Sequence, residues 1–249
     1  MTNESNNKPE RVLVSPGEVL SSDPNHVPGR GAVRDGDDII SVFIGLKNIH
    51  GKYVNVVPLN GLYDPQMGDK IIGLVVNKTP TKWLIDINAK SLALLSPKEA
   101  IDKSESHKYK KQKVGTYKIP KKNKLDKYNV GDLLICKIIS ADRLSTPRLT
   151  TLGHKLGKIR EGVVMEISAP KIPRVIGRRA SMVSVLKKLL NSKIFIAQNG
   201  RIWIKGKSYL HEDLLIEIIE KIEREAHTTG LTNRVTQTII REIENRGIE

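Results

Sequence analysis

The spacing of turn signals in the first hundred residues constrains the fold more than any other feature of this sequence. Short runs rich in β-branched residues, at 12–14, 38–46 and 53–57, are separated by Pro-Gly, Pro-Asn and Asn-Gly pairs. No helical period of apolar residues is visible before about residue 97. We therefore predict a small all-β domain over residues 1–64.

A second set of short apolar runs follows at 71–76, 83–87, 92–95, 133–139 and 148–152. Five such strands within residues 65–152 predict a small β-barrel of the OB type. Between the third and fourth runs, residues 103–124 contain nine lysines and one glutamate. This segment has no amphipathic period, so we expect a long loop without helix.

The period changes in residues 153–249, which we predict to form an α+β domain. A strand is expected at 160–168, a helix at 182–190, and a hairpin of 194–197 with 201–205 across Asn199-Gly200. Two amphipathic helices, at about 211–227 and 232–246, complete the chain. The predicted fold class is multidomain, mainly β and then α+β.

Positive charge is concentrated in the middle of the chain. The 42 Lys and Arg against 27 Asp and Glu give a net charge of +15. Residues 1–64 carry −2, residues 65–152 carry +10 and residues 153–249 carry +7. Such a surface calls for a polyanionic partner, either nucleic acid or an acidic membrane surface. Within the last block residues 206–249 carry −3, so both ends of the chain are near-neutral or acidic and are expected to contact protein instead.

Several function classes lack the residues they need. Cys136 is the single cysteine, which excludes an intramolecular disulfide and a multi-cysteine zinc site. The histidines and carboxylates show no metal-ligand spacing, and no phosphate-binding glycine loop occurs. No apolar run is long enough for a membrane span or a leader peptide. We expect a soluble, cytoplasmic protein that is not an enzyme and has no metal or cofactor.

Two segments resemble known RNA-binding domains. The runs Gly73-Leu74-Val75-Val76 and Trp83-Leu84-Ile85-Asp86-Ile87, together with Tyr128-Asn129-Val130-Gly131-Asp132, resemble the S1-type OB fold. The stretch from Ile172-Pro173-Arg174-Val175-Ile176 through Asn199-Gly200-Arg201-Ile202-Trp203 resembles a KH domain. A β domain, an S1-type barrel and a KH domain in this order are similar to the RNA-binding cap subunit of the archaeal exosome.

This resemblance implies a non-catalytic subunit. In that family three cap subunits, of one kind or mixed with a second cap protein, sit on a ring of six RNase PH-like subunits. They bind single-stranded RNA and direct it to the central pore for 3′-to-5′ degradation. Residues 1–64 would dock on the ring, and no membrane is involved.

The candidate RNA-binding residues come from the lysine stretch and from the KH-like segment. The loop Gly177-Arg178-Arg179-Ala180 departs from the usual Gly-x-x-Gly clamp at its fourth position, where a Cβ should weaken binding. The family's Gly-x-Asn-Gly hairpin keeps only Asn199-Gly200, with Ala197 at its first position. The candidates are Lys108, Lys110, Lys111, Lys113, Lys121, Lys122, Gly177, Arg178, Arg179, Asn199, Gly200 and Arg201.

Simpler interpretations remain open for each feature. The lysine stretch is either a strand-guiding loop or a solvated insertion, and Arg178 and Arg179 bind phosphate or face solvent. Trp83 and Trp203 are expected in a core or between domains. The chain has few aromatic residues on which bases could stack, so RNA contact should be electrostatic. A free-standing RNA chaperone or translation factor is the alternative function, and a nuclease is the third.

Overall fold

The computed structural model describes residues 12–59, 61–102, 111–114, 117–120, 124–142, 145–226, 228 and 230–247. The chain divides into two compact units, one up to Gly61 and one from Leu62 onward. The strands and helices, in chain order, are β1 Leu13–Val14, β2 Val19–Ser21, β3 Val27–Pro28, β4 Ala32–Asp35, β5 Asp38–Ser41, β6 Gly45–His50, β7 Tyr53–Pro58, β8 Lys70–Lys78, β9 Trp83–Asp86, β10 Ala93–Leu95, β11 Lys111–Val114, β12 Tyr117–Pro120, β13 Leu133–Ser140, β14 Arg148–Thr150, β15 Gly157–Lys158, β16 Val163–Glu166, α1 Ile172–Ile176, α2 Ser181–Leu189, β17 Lys193–Ile196, β18 Arg201–Lys205, α3 Tyr209–Arg224 and α4 Leu231–Arg246.

The first unit is built from two small sheets, as the turn spacing predicted. One has the strand order β1-β6-β7-β3 and the other β2-β5-β4. The run at 38–46 is not one strand: it ends at Ser41, whose hydroxyl donates to the Phe43 carbonyl, and β6 begins at Gly45 in the other sheet. A short apolar core holds the unit together, consisting of Val14, Leu20, Ile39, Val54 and Val56.

The second unit begins with a closed five-stranded barrel, which confirms the OB-type prediction. Its sheet has the order β14-β10-β9-β8-β13-β15, and β14 also pairs with β13 to close the ring. Trp83 lies in the core at 0% exposure, and its indole N–H donates to the Tyr128 carbonyl at 3.0 Å. Cys136 is also buried in this core, which raises the pKa of its thiol. The barrel sheet extends to Lys158, past residue 152.

The remainder of the second unit is a three-stranded antiparallel sheet covered by helices, as predicted for a KH domain. The strand order is β16-β18-β17. Ile202 and Ile204 in the central strand are at 0% exposure and belong to one core with Leu186 of α2, Ile218 of α3 and Val235 of α4. No helix in the described ranges is long and apolar enough to cross a membrane.

The prediction of an irregular lysine-rich loop is wrong in part. Strands β11 and β12 form an antiparallel pair in which Val114 lies opposite Tyr117. The sequence alternates weakly over 111–114 and 117–120, and a Gly-Thr pair between two such runs is a sequence signal for a hairpin. The high lysine content obscured this alternation.

Candidate nucleic-acid interface

The lysine-rich insertion leaves the barrel between β10 and β13. Lys111 and Lys113 lie in β11, and Lys113 pairs directly with Lys118 of β12. Lysines therefore occur in both strands of this hairpin. The candidates Lys108, Lys110, Lys121 and Lys122 lie outside the described residues.

The base of this insertion is fixed to the barrel. After the hairpin the chain forms a 3-10 turn, Lys124–Lys127, in which Leu125 is 5% exposed. Lys127 donates from Nζ to the carbonyl of Ala100 at 2.7 Å, which joins the two ends of the insertion. Tyr128 then packs edge-on against Trp83, with ring centroids 5.3 Å apart. The hairpin therefore emerges from a rigid part of the barrel core.

The KH-like loop keeps the backbone path of a glycine loop although its fourth residue is alanine. Gly177, Arg179 and Ala180 have φ values of 76°, 52° and 61°. A left-handed conformation costs a non-glycine residue about 1–2 kcal/mol. Gly177 is required sterically, because a Cβ there would lie 2.6 Å from the backbone nitrogen of Met182. Arg178 and Arg179 are exposed at the start of α2.

Asn199, a predicted RNA-binding residue, lies in the interior of the second unit. Its side chain is 0% exposed and is inserted beside β8 at the point where β9 has ended. Oδ1 accepts from the Ile72 N–H at 3.2 Å, and Nδ2 donates to the carbonyls of Ile72 and Ile87 at 2.8 and 3.0 Å. The carboxamide thus takes the place of a missing peptide group in the barrel ladder.

Two neighbours extend this contact. The Gln198 N–H donates to the Lys70 carbonyl at 3.0 Å, and the Asn88 side chain donates to the Asn199 carbonyl at 3.2 Å. Gly200 is buried against Ile167, whose N–H donates to the Gly200 carbonyl at 2.8 Å. We call the contact made by residues 198–201 the barrel–hairpin contact.

Arg201 completes the barrel–hairpin contact with its charge. Its side chain is 6% exposed, and its guanidinium lies between Asp86 of β9 and Glu166 of β16. Nη1 also donates to the Asp86 carbonyl at 2.8 Å, and Nε donates to Glu166 at 2.6 Å. Because a buried charge is costly unless it is paired and hydrogen-bonded, two carboxylates around one guanidinium make this burial tolerable.

Asn199, Gly200 and Arg201 therefore lie in an interior contact, and the side chains of Asn199 and Arg201 are not offered to RNA in this structure. The sequence signal at this place was an Asn-Gly turn, which indicates a hairpin but not what the hairpin packs against. Asp86 and Glu166, the partners of Arg201, were missed altogether. No local pattern relates residue 199 to Ile72, which is 127 residues away.

The outer surface of the barrel offers few groups for base stacking. Leu84 and Leu94 pair directly in β9 and β10, and both are partly exposed. The exposed Thr81 precedes β9. Aliphatic and hydroxyl groups therefore occupy these described positions, which suit electrostatic contact better than base stacking.

Trp203 differs from Trp83 in being partly exposed on the KH-like sheet. Its Nε1 donates to the Glu161 carbonyl at 2.7 Å, and the Glu161 carboxylate accepts from Lys205. That hydrogen bond, followed by the charges of Lys205 and Lys193, lowers the pKa of Glu161. Within the described ranges, no group of three or more His, Cys, Asp or Glu side chains is placed to hold a metal ion.

Comparison with known proteins matches this architecture. A KH domain family model matches residues 162–209. The exosome complex component Rrp4 of Methanothermus fervidus is 40% identical over 237 residues, which cover 94% of this chain and 98% of that protein. Its counterpart in Pyrococcus furiosus is 35% identical over 243 residues, covering 96% of this chain and 87% of the relative. A crystal structure of an exosome complex RNA-binding protein superposes with a TM-score of 0.62 at 33% identity, covering 75% of this chain and 99% of that one. The chain belongs to the family of the exosome complex component Rrp4.

Proposed function

We propose that this protein is a non-catalytic, RNA-binding subunit of an archaeal exosome. It binds single-stranded RNA through the basic surface of its second unit, and partner subunits degrade the RNA. The observation that carries the proposal is the lysine-rich insertion, which contains an antiparallel hairpin and whose base is joined by the hydrogen bond from Lys127 to the Ala100 carbonyl. Phosphate contacts by such lysines release counterions and give sequence-independent affinity.

Arg178 and Arg179 provide a second basic contact for the same strand. Both are exposed beside the N-terminus of α2, where backbone N–H groups and the helix dipole favour an anion. The barrel–hairpin contact joins the KH-like sheet to the barrel that carries the lysine-rich insertion, so one RNA strand can contact both basic segments.

The first unit docks on RNase PH-like ring subunits. In the ladder β1-β6-β7, Leu13 pairs with Leu46 and Leu46 pairs with Val57, so three apolar residues stand side by side. Leu13, Ile44 and Val57 are 59%, 57% and 48% exposed, which is typical of a surface that a partner covers. The near-neutral charge of this unit suits a protein partner better than phosphate.

Three copies of the subunit, alone or mixed with a second cap protein, cap one face of the ring in the cytoplasm. The basic second units then surround the entrance to the pore and direct the RNA 3′ end into it. No metal or cofactor takes part in this role, because the subunit delivers RNA and breaks no bond.

RNA binding is tested by the salt dependence of affinity. The variant Lys108→Glu/Lys110→Glu/Lys111→Glu/Lys113→Glu should bind oligouridylate more weakly in fluorescence anisotropy. Each lost phosphate contact lowers the slope of log K against log salt by about 0.7, so the slope should fall by up to about 3. An unchanged slope would contradict the assignment of the insertion.

A matched control separates local contact from net charge. Lys111→Glu/Lys113→Glu and Lys47→Glu/Lys52→Glu change the charge equally, but the second pair lies in the first unit. Only the first pair should lower the salt slope. An equal loss in both would mean that RNA responds to overall charge rather than to the insertion.

Docking is tested by size-exclusion chromatography with the RNase PH-like ring. The wild-type chain should co-migrate with the ring, and Ile44→Asp/Val57→Asp should not. Val33→Asp is the control, since Val33 is 46% exposed in the other sheet of the same unit. A wild-type chain that stays monomeric beside the ring would favour a free-standing RNA-binding protein, and RNA degradation by the isolated chain would favour a nuclease.

A further inference from the structure

The KH-like sheet has a second face that does not contribute to the helix-covered core. Ile202 and Ile204 are at 0% exposure on the helix side, and side chains alternate along a strand, so Trp203 between them lies on the opposite side. Val164 of β16 and Phe195 of β17 are its direct partners in the ladder. All three are partly exposed. We call Val164, Trp203 and Phe195 the aromatic row, after its two aromatic members.

The indole of Trp203 is held in one orientation. Its N–H donates to the Glu161 carbonyl, and a Cβ on Gly162 would lie 2.8 Å from Nε1. Glycine at 162 is therefore what allows the ring to reach that carbonyl. Because the one polar atom of the indole is already bonded, the exposed remainder of the side chain is aromatic surface.

Two lysines form the next pair on the same face of the sheet. Lys193 pairs with Lys205, two residues from Phe195 and Trp203 in register. Glu161 accepts from Lys205, and Lys193 is exposed. With Glu161 counted, this end of the row keeps one net positive charge.

We propose that the aromatic row is a stacking site for an unpaired base of single-stranded RNA, with the base on Trp203 and the adjacent phosphate on Lys193. The proposal rests on the proposed RNA-binding function and extends it from phosphate contact to base contact. An aromatic ring beside a lysine on an open sheet is the arrangement on which bases stack without sequence preference. The net positive charge favours a nucleic acid over an apolar protein surface.

The site is also placed to act together with the barrel. In the other direction along the strands, two residues from Val164 and Trp203, the next pair on this face is Glu166 and Arg201, and Arg201 joins the sheet to Asp86 of the barrel. The stacking site and the barrel are thus fixed relative to each other. An RNA strand that contacts the barrel through its phosphates therefore meets a stacking site whose position relative to the barrel is constant.

The test uses the fluorescence of the full chain, which has only two tryptophans. Trp83 is buried in the barrel at 0% exposure and should respond little to RNA, whereas Trp203 should be quenched by a stacked base. Titration with a short oligouridylate should quench the emission. Inorganic polyphosphate, which has charge but no bases, should bind without the same quenching; equal quenching by both probes would overturn the proposal.

Substitution gives a second readout. Trp203→Leu should lose the quenching and at least about fivefold in RNA affinity, with an unchanged salt slope because no phosphate contact is removed. Trp203→Phe keeps a ring and should retain part of the affinity, which also guards against a folding defect in the leucine variant. Lys193→Gln should lower the salt slope by about 0.7 instead.

The outcomes separate the two proposals. If wild-type protein does not bind RNA, the proposed function itself fails. If wild-type protein binds RNA but Trp203→Leu binds it equally well, the stacking site alone is refuted. Loss of co-migration with the ring in Trp203→Leu, with RNA affinity unchanged, would instead make this face a protein interface.

Discussion

Replacing Asn199 with alanine tests the barrel–hairpin contact most directly. The substitution removes three hydrogen bonds from a side chain at 0% exposure: one that Oδ1 accepts and two that Nδ2 donates. The Ile72 carbonyl still accepts from Arg201 Nη1 at 3.3 Å, so the groups left unpaired are the Ile72 N–H and the Ile87 carbonyl. At about 1–3 kcal/mol for each buried unpaired group, the free energy of unfolding should fall by about 2–6 kcal/mol.

The assay is denaturant unfolding of the full chain followed by tryptophan fluorescence. Trp83 reports on the barrel and Trp203 on the KH-like sheet, so both sides of the contact are observed. Asn233→Ala is the control, because Asn233 is exposed on α4 and alanine suits a helix. A loss below about 1 kcal/mol in Asn199→Ala would refute the view that this carboxamide completes the barrel ladder.

Three other predictions concern single groups. Gly200→Ala should lower the free energy of unfolding by about 2 kcal/mol or more, because the φ of Gly200 is +87° and a Cβ would lie 2.3 Å from the Ile167 carbonyl oxygen. Gly230→Ala is the control: its φ is +69° and its Cβ would meet open space, so it measures only the cost of the backbone conformation. An equal loss in both variants would contradict the steric argument. Cys136 should not react with a thiol reagent in the native protein, because burial raises its thiol pKa, and should react on unfolding; rapid native labelling would show that the barrel opens. In an NMR titration Glu161 should show a pKa below its ordinary value of 4.5, mainly because Lys205 donates a hydrogen bond to it. Its ion pair therefore stabilises the protein above pH 4.5, and this stabilisation is lost as the pH falls through the lowered pKa. In Lys205→Met most of the pKa shift should disappear, leaving the smaller effect of Lys193.

The barrel–hairpin contact also bears on the RNA binding that we propose for the Arg178-Arg179 loop. This loop has left-handed backbone angles at Arg179 and Ala180, which strain non-glycine residues. The KH-like sheet of the same domain is joined to the barrel by buried hydrogen bonds. In the proposed function, phosphate contacts held at constant spacing lower the entropy lost on binding.

Where the sequence pattern is local, it predicted the fold well. The periods of α2, α3 and α4 and the runs of the barrel strands lie within one or a few residues of the observed elements, because alternation and helical spacing record which face of a short segment is buried. The helix expected to extend to about residue 227 ends at Arg224, and Gly230 is the N-cap of α4. Such boundary differences follow from the fraying of helix ends and change nothing in the packing.

The three successive folding patterns and the basic middle of the chain follow from the order and composition of short segments, so they can be read from the sequence alone. The interior position of Asn199 and Arg201, and the partly exposed position of Trp203 on the same sheet face as Lys193, depend on how distant segments pack in the folded protein. An Asn-Gly turn has the same local chemistry whether it faces RNA or a barrel. What distinguishes the two is the end of β9 at Asp86. Ile72 pairs with Ile135 of β13 on one side but has no β9 residue opposite it on the other, and this depends on the register of strands far away in the chain.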